Sequence, residues 1–171
     1  MMIEKKLLDT LKQDADAWNA WRKNNPDAEV DLAKADLRGL DLKNVDLSRA
    51  CLQEAKLHFS KLQKANLESA DLKGSRLLEA NLQGACLRNA NLTGANLLEA
   101  NLMAADMENA DLNNVQFNED VQMDQANLKG ANLATATGIT SSQIKSAIVD
   151  AKTQLPDYLT EEMDDEFLLQ F

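Results

Sequence analysis

The sequence predicts an all-β solenoid, a square coil of about twenty residues per turn, and three observations lead there. Large apolar residues recur every five positions between residues 30 and 135. Eighteen centres run in unbroken steps from Leu32 to Phe117, and three more follow at Met123, Leu128 and Leu133, giving twenty-one repeats. Two residues before each centre stands a small or β-branched residue: Ala in most repeats, Ser60 and Ser75, and Val30, Val45, Val115 and Val121, with Leu40 the large exception. Two residues after the centre, Gly and Asn collect at one phase: Gly39, Asn44, Gly74, Gly84, Asn89, Gly94, Asn109, Asn114 and Gly130.

A period of five fits neither standard element. On an α-helix the leucines would spiral around the axis, and the Asn, Asp and Gly content disfavours a helix. On a flat strand an odd period throws successive leucines to opposite faces. The period works if the chain turns a corner in every repeat, so that the centre and the residue two before it both point inward. A type II turn needs a residue tolerant of positive φ at its third position, usually Gly or Asn, which is where those residues collect. Four sides close one coil, and stacked coils are spaced like strands, roughly 4.8 Å apart.

A solenoid must cap both ends. Residues 1–29 form the N-terminal cap and lead-in, where Ile3, Leu7, Leu8, Leu11, Ala15, Trp18 and Trp21 follow the spacing of one helix over residues 3–22. Asn24, Asn25 and Pro26 then stop it. The repeats occupy residues 30–135, with a one-residue insertion near 118–120. Residues 136–155 form a C-terminal cap, in which Ser141 or Ser142 N-caps a short helix reaching Ala151 and Ile139, Ile144, Ala147 and Ile148 close the end. Residues 156–171 read as a flexible acidic tail, because LTEEMDDEFLLQF has five acids and no five-residue phase.

The A(N/D)Lxx run resembles the pentapeptide-repeat family, and the resemblance covers residues 30–135. The lead-in AWNAWRKNNP and the exit ATGITSSQIKSAIVDAKTQLPDYL are similar to flanks of bacterial members. The resemblance implies a right-handed quadrilateral β-helix of about five coils. Departures are Met or Phe at three centres, Leu40, and the insertion. Some family members confer quinolone resistance as acidic rods that mimic DNA and dock on DNA gyrase.

Charge argues against that role here. The chain of 171 residues has a formal net charge of −10, which disfavours direct nucleic-acid binding and anionic membranes. Yet residues 30–79 hold 8 acids against 9 bases, while residues 136–171 hold 7 against 2. Much of the negative charge therefore lies off the rod, where it cannot imitate a duplex. The opening segment is too polar for a secretory leader, and no later stretch is apolar enough to span a bilayer.

No catalytic, cofactor or metal constellation emerges. There is one histidine, His58, and no glycine-rich phosphate loop. Cys51 and Cys86 stand seven repeats apart, on different sides, and cannot bridge. The sequence therefore implies a non-catalytic, cytoplasmic, rigid protein-binding or scaffold module, a monomer or homodimer whose partner it does not name. Residues twenty apart stack in columns. Glu68, Arg88, Glu108 and Lys129 form a ladder of alternating sign that supports the stack. Glu79, Glu99 and Glu119 form a like-charge column beside His58, Phe59, Leu78 and Leu98, and that side is the candidate protein-binding face.

Overall fold

The computed structural model describes residues 2–162. Its repeats wind a right-handed quadrilateral β-helix in which each side contributes a parallel one-residue bridge to the coil above. Pairings run i to i+20 from Asp31–Cys51 through Asn96–Gln116, i to i+21 from Asn101–Gln122 through Asn127–Ile148, and i to i+22 for Asn132–Gln154. The four sides are identified by their first centres: Leu32, Leu37, Leu42 and Leu47 begin sides one to four.

Every centre from Leu32 to Leu133 is buried, Met107, Phe117 and Met123 included. So are the small residues two before them, except Ala35 and Leu40, which are half-buried. Both belong to the first coil, which has no coil beneath it, and Leu40 uses that space. Ala and Leu alternate inward because a square coil with five residues per side leaves room for one large and one small side chain per side.

The corners follow the expected chemistry and then exceed it. All nine Gly and Asn corner positions have positive φ. Ten further corners hold the same conformation with Lys34, Arg49, Glu54, Phe59, Lys64, Ser69, Glu79, Glu99, Ala104 and Gln125. The coil thus imposes a left-handed residue on side chains that disfavour it. Two corners lack positive φ: Thr135 in the last repeat, and the insertion at Asn118–Asp120, where an extra residue rounds the corner. At the insertion the Asn118 side chain accepts the Glu99 N–H (2.9 Å), and Gln143 donates to the carbonyls of Asn118 and Val121 (both 2.8 Å).

The N-terminal cap is two helices rather than one: α1 (Met2–Gln13) and α2 (Ala15–Asn24). Asp14 breaks the expected continuous helix, its carboxylate accepting the N–H groups of Asp16 and Ala17 as a new N-cap. The break turns α2 onto the first coil. Trp18 is wholly buried, its indole donating to the Asp46 carbonyl at 2.7 Å, while Trp21 is half-buried beside it. Asn19 accepts the Asp46 N–H (2.8 Å), supplying the oxygen that a preceding coil would have supplied. Arg22, 4% exposed, donates to the carbonyls of Ala28 (3.2 Å) and Ser48 (2.8 Å).

At the other end the N-cap is Thr140, not Ser141 or Ser142. It forms a capping box with Gln143, and α3 (Ser141–Ser146) stops short of Ala151. The chain then rejoins the coil path, Ile148 pairing with Asn127 and Gln154 with Asn132. Ile139 and Ile144 are buried and Ala147 is half-buried, but Ile148 faces outward because Val149 takes the inward centre. Gly138 marks the departure from the repeats, since a β-carbon there would collide with the Phe117 carbonyl oxygen. The stretch expected to be tail begins with a buried Pro156 and α4 (Asp157–Glu162), which buries Leu159. The rest of that expected tail, residues 163–171, lies outside the described residues.

Replacing a mid-shaft centre, Leu92→Ala, should cost about 2–5 kcal/mol in chemical denaturation. Lys73→Ala, on an exposed position of the same side, should cost less than about 0.5 kcal/mol. Equal losses at the two positions would contradict the packing described.

Candidate functional site

The outward surface follows from where each backbone hydrogen bond goes. In a typical repeat four of the five N–H groups are held by the backbone. For Leu72 and its neighbours, Asp71 N–H donates to Ala50, Leu72 N–H to Asn91, Gly74 N–H to Thr93, and Ser75 N–H back to Leu72. The fifth N–H, one residue after the centre, points away from the ladder. It is taken by the side chain one residue before the centre. All fourteen repeats with Asp or Asn at that position make this bond, at 2.9–3.4 Å, from Asp31–Ala33 to Asn132–Ala134. This is an Asx turn, and it explains the Asn or Asp in the repeat phrase.

Seven repeats lack that residue: Cys51, Lys56, Lys61, Arg76, Cys86, Gln116 and Gln122 take its place. Only on the second side do consecutive coils lack it, at Lys56 and Arg76. There the N–H groups of His58 and Leu78 have no acceptor among the described residues.

The second side also carries the predicted face. His58, Leu78 and Leu98 are half-buried rather than exposed, while Phe59, Glu79, Glu99 and Glu119 are exposed. Phe59 is 53% exposed and sits at a corner with φ of 60°, an outlying conformation for a bulky residue. Glu79 and Glu99 share that corner geometry, whereas Glu119 lies on the insertion. A shallow groove of about 370 Å³ brings together His58, Arg76, Leu78, Asn96 and Gln116, with Gly74 and Gly94 forming its low edge. His58 Nε2 is buried there without a partner.

Sequence reasoning passed over Lys56, Arg76, Asn96 and Gln116. The signal was present, since Lys and Arg break the Asn/Asp phase, but it had no meaning until the Asx turn was seen. Of the expected ladder on the fourth side one rung forms: Arg88 bonds Glu108 at 3.0 Å, with Asp106 at 3.5 Å, while Glu68 and Lys129 make no ion pair among the described residues. On the second side Arg38 is held by Asp36 at 2.6 Å, and this bond keeps the Asp36 carboxyl well below the usual carboxylate range. Lys56 and Arg76 make no ion pair among the described residues. Cys51 on the first side and Cys86 on the fourth are free thiols. Among the described residues no cluster of His, Cys, Asp and Glu is placed to hold a metal ion, and no helix is long and apolar enough to cross a membrane.

The family model for pentapeptide repeats matches in eight copies over residues 28–58, 50–89 and 85–119. The chain belongs to the pentapeptide repeat family. Among curated proteins none matches it. A pentapeptide repeat protein of the Arabidopsis thaliana thylakoid lumen is 29% identical with a TM-score of 0.64, the match covering 74% of this chain and 91% of that one. One from the cyanobacterium Cyanothece is 28% identical over 80% of this chain and 97% of its own, with a TM-score of 0.44. HetL of the cyanobacterium Nostoc, a pentapeptide repeat protein involved in heterocyst differentiation regulation, is 24% identical over 77% and 72%, with a TM-score of 0.46. What the Arabidopsis protein shares with this pentapeptide repeat chain is the fold.

The groove gives a pH signature. Burial, then Arg76 and Arg38, push His58 below its ordinary value of 6.5; Asp36 opposes them, and Lys56 adds a smaller push downward. A histidine depressed in the folded state binds its proton more readily when unfolded. Its contribution is therefore intact above about pH 6.5 and is lost as pH falls toward the folded value. The urea midpoint should drop between pH 7.5 and 5.5, and His58→Gln should reduce that drop. An unchanged drop in the variant would contradict the assignment.

Proposed function

We propose that this pentapeptide repeat protein is a non-catalytic binding module that presents its second side to a protein partner. The observation that carries the reading is Phe59, a large apolar side chain held in solvent on a left-handed corner, beside half-buried Leu78 and Leu98. Strained residues persist where the surrounding structure or a function retains them. A Gly or Asn would meet the corner's backbone requirement without exposing an aromatic ring. Glu79 and Glu99 flank the apolar strip as a like-charged corner pair, a disposition that a partner's cation would relieve.

Two features favour a protein partner over mimicry of DNA. Each side carries bases: Lys34 and Lys73 on the first, Arg38, Lys56 and Arg76 on the second, Lys43, Lys61 and Lys64 on the third, and Arg49, Arg88 and Lys129 on the fourth. None therefore offers the continuous anionic strip of a duplex backbone. About five coils at strand spacing also make a shaft of only roughly 25 Å. The two half-exposed free thiols, Cys51 and Cys86, suit the cytoplasm as its setting.

Capture from native-cell extract on the immobilised full chain tests the reading. A partner should be retained by the wild type and lost with Leu98→Lys, which leaves the thermal midpoint within a few degrees. Phe59→Gly should lose the same partner while raising stability by about 1 kcal/mol, because it removes a left-handed non-glycine residue. A partner retained equally by all three proteins would remove the second side from consideration.

A further inference from the structure

The second side has an incomplete pattern that specifies its own complement. In fourteen repeats a carboxylate or carboxamide oxygen sits over the N–H that follows the centre. In the second and third coils of the second side that oxygen is missing, and the residue that should supply it is a cation, Lys56 or Arg76. The two open N–H groups, of His58 and Leu78, lie one coil apart, about 4.8 Å.

We propose that this groove binds the carboxylates of an acidic protein segment, each entering where an Asx side chain would otherwise sit. The inference rests on the second side being the partner-binding face and adds the partner's chemistry. An incoming carboxylate accepts the His58 or Leu78 N–H, as Asp71 accepts that of Lys73 (3.2 Å), and it pairs with Lys56 or Arg76. Hydrogen bonds between ionised partners are the stronger kind, and Arg is suited to two-oxygen recognition. Asn96 and Gln116 continue the floor toward the fifth coil and offer amide donors in the same groove. Phe59 and Leu78 give a peptide's aliphatic stems a surface that a free inorganic anion would not use. The remaining cation of the face, Arg38, is already held by Asp36, so Lys56 and Arg76 carry the unneutralised charge.

The structure also supplies a variant that closes the site without disturbing the coil. Lys56→Asn with Arg76→Asn installs the residue that serves at this position elsewhere, and the new side chains cap the two N–H groups from within. Amide spectra of the ¹⁵N-labelled full chain would be recorded with an acetylated, amidated Gly-Asp-Asp-Glu-Gly peptide, with its Asn-Asn-Gln counterpart, and with inorganic phosphate. The acidic peptide should move the His58 and Leu78 amides most, and added salt should weaken it. The double variant, with a thermal midpoint at or above that of the wild type, should bind on the order of tenfold more weakly.

Equal binding by wild type and double variant overturns the proposal, as do unmoved His58 and Leu78 amides or equal shifts from the neutral peptide. Phosphate acting on the same amides at lower concentration than the peptide also overturns it, because carboxylate would not be the preferred chemistry. The wider reading fails separately, when Leu98→Lys leaves partner capture intact.

Discussion

A corner every five residues is the constraint on which the rest of this structure depends. Each side is too short to be a strand of its own, so the chain must reverse its inward and outward pattern at every turn. A left-handed residue at the third turn position does this, whether that residue is Gly94, Asn109 or Phe59. For a non-glycine residue the conformation costs roughly 1–2 kcal/mol. A buried leucine returns about 1.5–3 kcal/mol per repeat and the interlocked ladder adds to it, which is why Glu79, Lys64 and Phe59 are all forced into the conformation. The insertion at Asn118–Asp120 shows the alternative: one added residue removes the left-handed requirement but shifts each pairing that spans it from twenty to twenty-one.

The same constraint creates the surface. A five-residue side whose ladder uses four N–H groups leaves one to be met from outside the backbone. Asp or Asn one residue before the centre meets it locally, so most of the rod is self-contained and smooth. Where the chain substitutes Lys56 and Arg76, the need passes outward, and it does so in consecutive coils beside the exposed aromatic residue at position 59. Function in such a fold is written as a departure from regularity, because the regular positions are already occupied by architecture. The acidic corner of Glu79 and Glu99 and the basic column of Lys56 and Arg76 give the second side opposite charges along its two edges. On the proposed reading, these charges would orient a partner as well as hold it.

The shaft was legible in the sequence because its signal is a phase, repeated twenty-one times, and single exceptions such as Leu40 cannot erase it. The ends were less so. Helical spacing ran unbroken from Ile3 to Trp21, yet Asp14 ends one helix and caps the next, because a turned α2 can bury Trp18 and Arg22 against the first coil. Thr140 took the N-cap from Ser141 because Gln143 completes a reciprocal pair with it and reaches the insertion carbonyls as well. Of the candidate face, the column positions of His58, Phe59, Leu78, Glu79, Leu98 and Glu99 followed from counting in twenties. The half-burial of the leucines did not, since side-chain depth depends on neighbouring coils. Lys56 and Arg76 remained hidden until the hydrogen-bond role of the residue they replace was known.

Amide hydrogen exchange, read residue by residue on the full chain, tests this account most directly. Protection should repeat every five residues, high at each centre, at the residue before it and at the corner. The N–H after each centre should be slowed where Asp or Asn caps it, as at Lys73 and Thr93, and should exchange fast at His58 and Leu78. Protection without a five-residue period, or His58 and Leu78 as slow as Lys73 and Thr93, would contradict the claim that the second side holds an unfilled acceptor position.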